Sequence, residues 1–169
     1  MRRSSRCPRT LSSTFAVSLR RDLPSRRPCS KYAGRIRNVK KKSLLDSYAV
    51  LAYLKQEERY KKVKDLLSSD EVRILMNDIN VGETYYILAR ERGRERAEYF
   101  LNIILPSLPI TVLGNSLQEV IQAAVIKSEY PISYADAFVV ATAQREGATI
   151  ITGDPDFKQV EDLVKIEWL

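Results

Sequence analysis

The stretch Ser133-Tyr134-Ala135-Asp136-Ala137-Phe138-Val139-Val140-Ala141-Thr142-Ala143-Gln144-Arg145-Glu146-Gly147, followed by Ala148-Thr149-Ile150-Ile151-Thr152-Gly153-Asp154, decides how the chain is read. Ser133–Glu146 has the pattern of a strongly amphipathic helix. It opens on a serine with an acid three residues later, as a capping box does, and a glycine closes it. Thr149–Ile151 is a short β-branched run and reads as a strand. A helix feeding a short apolar strand is the repeating unit of α/β proteins.

The same alternation extends upstream. Ser43-Leu44-Leu45 reads as an apolar strand ending at Asp46, and the next helix carries Tyr48, Leu51, Ala52 and Leu54 on one stripe. A second helix is expected over 58–68, with Tyr60, Val63 and Leu67 in register, then a strand over Val72–Met76. Ile79–Arg92 is expected to be helical with Val81, Thr84, Tyr85 and Leu88 inward, stopped at Gly93, and Arg94–Leu105 to be a helix ending before Pro106. Ile110–Leu113 reads as a strand, Ser116–Lys127 as a helix and Lys165–Glu167 as the last strand. Strands that are apolar throughout and alternate with helices imply a parallel sheet covered on both faces. In such sheets sites form beyond the carboxyl ends of the strands.

Charge divides the chain. Residues 1–42 contain 14 Lys/Arg and one acid, Asp22, a net of +13, whereas residues 43–169 contain 14 Lys/Arg and 20 Asp/Glu, a net of −6. The first segment is rich in Arg, Ser and Pro without sustained periodicity and is expected to be a disordered extension. Translated upstream sequence, with initiation near Val39, and an organellar transit peptide are the competing readings. Residues 43–169 are long enough for one domain with its own core.

The chain has no histidine, and both cysteines, Cys7 and Cys29, lie in the basic segment. A Ser-His-Asp triad, a Cys-His pair and the usual zinc, copper and iron sites are therefore excluded from residues 43–169. Carboxylates without imidazole or thiolate suit a hard cation, Mg2+ or Mn2+. Two cysteines do not make a disulfide framework, so a reducing cytoplasm is the expected location. No apolar run is long enough to cross a membrane.

Four acids fall where a site is expected. Asp46 ends the first strand, Glu83 lies in the first turn of the Ile79 helix, Asp136 in the first turn of the Ser133 helix, and Asp154 follows the Thr149 strand. Each has a plain structural role open to it. Asp46 suits an N-cap, Asn80–Glu83 and Ser133–Asp136 suit capping boxes, and Gly-Asp-Pro-Asp suits a turn. Together, however, they crowd like charges on one sheet edge among apolar neighbours. Such groups must be solvated, paired or metal-bound.

Leu44-Leu45-Asp46-Ser47, Glu83 on a helix, the Ser133–Ala143 segment and Ile151-Thr152-Gly153-Asp154-Pro155-Asp156-Phe157 together resemble the PIN domain. More narrowly they resemble the VapC toxins of toxin–antitoxin systems, over about residues 42–169. The resemblance implies a three-layer α/β/α fold with a five-stranded parallel sheet in the order 3-2-1-4-5. It implies a Mg2+-dependent endoribonuclease held in check by a cognate antitoxin, usually as a homodimer. It places the four catalytic, metal-binding acids on Asp46, Glu83, Asp136 and Asp154, an additional metal-binding acid on Asp156, and bordering hydroxyls on Ser133 and Thr152. The basic extension departs from the family's usual pattern.

Other folds that gather acids at a strand edge fit less well. A haloacid-dehalogenase phosphohydrolase needs a second Asp where Tyr48 stands, and a receiver domain needs a Lys ending a later strand, where Ile151-Thr152-Gly153 offers none. A catalytically silent PIN-like module that binds RNA or protein is the alternative function. Lys55, Lys61, Lys62 and Lys64, with Arg90, Arg92, Arg94 and Arg96, could meet phosphates, but the acids interleaved with them favour a solvated helix surface.

Overall fold

The structure is a computed structural model and describes residues 40–169. Residues 1–39 of the basic extension, with both cysteines, lie outside the described residues. Strands β1 (Lys41–Leu45), β2 (Val72–Asn77), β3 (Ile110–Leu113), β4 (Thr149–Thr152) and β5 (Ile166–Trp168) form one parallel sheet in the order β3-β2-β1-β4-β5. The expected three-layer α/β/α topology is the observed one.

Period-two alternation within the apolar strands explains the layers. Leu44, Leu75 and Ile150 enter one core with Ala123, Ile126, Phe138 and Val139. These come from α6 (Leu117–Glu129) and α7 (Tyr134–Glu146). Leu45, Ile74, Met76 and Ile151 face the opposite core with Val50, Leu51, Val63, Leu88 and Phe100. That core is covered by α1 (Ser47–Lys55), α2 (Tyr60–Leu67), α3 (Asp78–Arg92) and α4 (Arg94–Tyr99). Adjacent strand residues serve different cores, so the strands read as unbroken apolar runs.

Three boundaries differ from expectation. First, β1 begins at Lys41 rather than Ser43. Lys42 fits there because its ammonium donates to the Glu146 carboxylate at 2.9 Å and to the Glu146 carbonyl at 3.0 Å. Second, α3 begins at Asp78, capped by Asn77, whose Oδ1 accepts from the Ile79 N–H at 2.9 Å. Asn80 therefore does not cap the helix, and Glu83 stands in its second turn rather than its first. Third, Pro106 does not end the helix that starts at Arg94. A π-helical turn, Phe100–Ile104, joins α4 to α5 (Leu105–Ser107), with the Leu105 N–H donating to the Phe100 carbonyl five residues back. The wider turn relieves the clash a proline ring makes with an α-helical turn, so the chain passes through Pro106 and straightens only at Leu108.

Candidate metal centre at the carboxyl edge of the sheet

Asp46 is the first residue past β1 and the N-cap of α1. It is almost fully buried, with 1% of its surface exposed. Its Oδ1 accepts from the Ala49 N–H at 2.7 Å, and its Oδ2 accepts from the Thr152 hydroxyl at 2.5 Å. Burial dominates its electrostatics and pushes its pKa up to about 7. The Thr152 and Ala49 hydrogen bonds oppose this, and the charges of Asp136 and Asp154 add to it. No lysine or arginine among the described residues forms a salt bridge with Asp46, Glu83, Asp136 or Asp154.

Asp136 sits at the start of α7 in a reciprocal capping box. Its Oδ2 accepts from the Ser133 N–H at 3.2 Å while the Ser133 hydroxyl accepts from the Asp136 N–H at 3.0 Å. Its pKa is raised, first by burial, against hydrogen bonding from Ser133, and further by the charges of Glu83 and Asp154. Asp154 follows β4 and caps the 3-10 helix Pro155–Val160, its Oδ1 accepting from the Asp156 N–H at 2.9 Å. Thr152 ties the two sides together, since its oxygen also accepts from the Asp154 N–H at 2.9 Å. The capping and site readings of these aspartates are thus compatible. Each uses one oxygen as a cap, and Asp136 Oδ1 and Asp154 Oδ2 have no hydrogen-bond partner among the described residues.

Glu83 reaches the same edge from α3. Its Oε2 accepts from the Ser47 hydroxyl at 2.6 Å and from the Asn80 amide at 3.4 Å. The Asn80 amide also approaches the Ala135 carbonyl at 3.5 Å, so α3 is tied to the start of α7 beside Asp136. Sequence reasoning missed both partners. In the sequence Ser47 is only the residue after Asp46, and Asn80 has the spacing of a capping residue. Gly153 matters for another reason. A Cβ there would stand 2.4 Å from the Tyr48 ring, so glycine lets that ring lie against the turn between Thr152 and Asp154. Asp156 is exposed and joins the group only through its main-chain N–H.

The donor set suits a hard divalent cation: carboxylate oxygens, no nitrogen or sulfur ligand, and a buried carboxylate without a cationic partner. The buried Asn80 Oδ1, which has no hydrogen-bond partner, is a further unspent acceptor beside Glu83. Among the described residues, however, no three acidic side chains stand close enough together to hold an ion as they are. The charges of Asp136 and Asp154 nevertheless act on Asp46, and those of Glu83 and Asp154 on Asp136.

The PIN domain family model matches residues 43–163. The chain belongs to the PIN domain family. Its fold is shared with VapBC2 from Rickettsia felis, solved bound to a promoter DNA fragment, at a TM-score of 0.60 and 19% identity, covering 76% of this chain and 98% of that one. The Mycobacterium tuberculosis toxin VapC20, described as cleaving the sarcin-ricin loop, gives a TM-score of 0.60 at 22% identity, covering 74% and 98%. PAE2754 from Pyrobaculum aerophilum gives 0.55 at 17% identity, covering 76% and 91%. A search of curated protein sequences finds no match. In this PIN domain the five-stranded sheet brings Asp46, Asp136 and Asp154 to one edge, and Ser47 and Asn80 hold Glu83 beside them. No helix among the described residues is long and apolar enough to cross a membrane.

Proposed function

We propose that this PIN domain is a Mg2+-dependent endoribonuclease, with Mn2+ able to substitute, and the toxin of a toxin–antitoxin pair. PIN domains are generally nucleases, and the fold's solved relatives include a toxin–antitoxin complex from Klebsiella pneumoniae. The observation that carries the reading is the buried, unpaired carboxylate of Asp46 facing Asp136 and Asp154 across the carboxyl edge of the sheet. Asp46 and Asp136 would hold the ion, with Glu83 and Asp154, and Asp156 at the rim, completing the set. The ion would supply charge relief at the scissile phosphate and acidify a water. The chain's own part is orientation. Thr152 aligns Asp46 with Asp154, Ser133 fixes Asp136, and Ser47 with Asn80 fixes Glu83 Oε2 so that Oε1 stays open. Any carboxylate left protonated by its neighbours could exchange that proton during hydrolysis.

The proposed partners are an RNA substrate, a cognate antitoxin protein and a second copy of the chain, in the cytoplasm. The exposed row Leu117, Ile121 and Val125 on α6 is an apolar face that a second copy could cover. One observation favours the catalytically silent module instead, namely that no three acids already stand at metal-holding distances. Calorimetric titration with Mg2+ separates the two readings. The nuclease reading expects saturable binding at millimolar concentration or below, accompanied by a higher Tm. No binding, together with an unchanged Tm, would leave the silent module.

A further inference from the structure

A second feature lies away from the carboxylates, where α6 begins beside the C-terminal half of α7. A cavity of about 310 Å³ is lined there by Asn115, Gln118, Glu119 and Gln122 on one side and by Thr142 and Arg145 on the other. That volume is at the small end of ligand-binding clefts. Its floor is built. Asn77, fully buried at the end of β2, forms a reciprocal amide pair with Asn115 at 2.9 and 3.0 Å and donates to the Thr142 hydroxyl at 2.8 Å.

The groups that remain define the ligand. Thr142 is 2% exposed, and its oxygen accepts from Asn77. Its hydroxyl donates no hydrogen bond to another described residue, so it is still able to donate to a ligand. Gln118 and Gln122, one helical turn apart, are exposed and make no side-chain hydrogen bond among the described residues. Arg145 is engaged by Glu119 and Glu146. A phosphate would need a cation that is not already paired, and an apolar ligand would strand the hydroxyl and both amides. A neutral, flat molecule with donors and acceptors on its edge satisfies all three, and a guanidinium plane offers a surface for stacking. Nucleobases have that chemistry, and side-chain amides read their edges in pairs.

Thr142 lies six residues along α7 from Asp136, an axial rise of about 9 Å in an α-helix. We propose that this cavity binds an unstacked nucleobase of the RNA strand whose backbone crosses the carboxylate edge, and so sets the position of cleavage. The proposal rests on the nuclease reading for its RNA, but not for its pocket chemistry.

The test uses the full chain and two readouts. Adenosine, guanosine, cytidine and uridine are titrated separately, without metal, while the Gln118 and Gln122 side-chain amide resonances are followed. At least one nucleoside should shift them saturably. The double variant Gln118→Ala/Gln122→Ala, at exposed positions and followed through the side-chain amide resonance of Asn115 in the same cavity, should weaken that binding by about tenfold or more, the scale of one paired base contact. Thr142→Val should act in the same direction, and the glutamine variant keeps the test valid if loss of the buried hydroxyl unfolds the protein. Cleavage ends mapped on random-sequence RNA with Mg2+ should show a base preference at one fixed position, flattened in the double variant. Four nucleosides that leave the resonances unmoved would overturn the pocket, as would an unaltered preference in the double variant. Saturable shifts in a protein that cleaves no RNA would keep the pocket and remove the nuclease reading. Cleavage with unmoved resonances would do the reverse.

Discussion

Replacing Asp46 by asparagine should stabilise the metal-free protein at neutral and alkaline pH, which the loss of an ordinary capping carboxylate would not do. In the unfolded chain Asp46 releases its proton near 3.8, whereas in the folded protein it keeps it to about 7. Between those values the folded state binds more protons, so the free energy of unfolding falls as pH rises. The contribution is fully present below about pH 4 and is lost as pH climbs through 7. A span of about three pH units, at about 1.4 kcal/mol each, sets a ceiling of about 4 kcal/mol. Asparagine carries no charge to desolvate, caps a helix as well as aspartate does, and can donate its amide to Thr152. Urea denaturation in EDTA at pH 5 and pH 8 measures this. Wild type should lose stability between the two, with an upper bound of about 3 kcal/mol, while Asp46→Asn should lose much less and be the more stable protein at pH 8. Saturating Mg2+ should narrow or reverse that order, since a ligand at a hundred times its Kd adds about 2.7 kcal/mol to the protein that binds it. Wild type that is as stable at pH 8 as at pH 5, or a variant weaker at every pH, would refute the account of Asp46 as a desolvated, unpaired acid.

Two further outcomes follow from the same geometry. Ser47→Ala removes the 2.6 Å hydrogen bond to Glu83 Oε2. It should lower Mg2+ affinity or cleavage by about 10- to 100-fold, the usual effect of losing a group that orients a metal ligand, with the urea midpoint little changed; calorimetry and cleavage rates check it. Deleting residues 1–38 should preserve cooperative unfolding and cleavage, losing at most salt-sensitive affinity for RNA. An insoluble or non-cooperative fragment would show that the domain begins earlier.

The parts of the fold that could be read from sequence are those where local pattern and burial agree. The apolar runs Leu44-Leu45, Ile74-Leu75-Met76 and Ile150-Ile151 are strands because the sheet is covered on both faces. Ser133, Asp136 and Gly147 bound α7 as their chemistry requires. What could not be read depends on groups distant in sequence. Lys42 enters β1 only because Glu146 waits beside it. The π turn at Phe100–Ile104 that carries the helix past Pro106 has no local sequence signature. At the site, the acids were legible as acids at strand ends. The pairing of Glu83 with Ser47 and Asn80 joins α1 to α3, and no spacing rule announces it.

The central claim is tested most directly by the full chain's action on RNA under three conditions: with Mg2+, with EDTA, and with Mg2+ in the Asp46→Asn variant, each confirmed folded by circular dichroism. The account predicts cleavage in the first and none in the other two. Cleavage that survives EDTA, or an Asp46→Asn variant that cleaves at the wild-type rate, would contradict it.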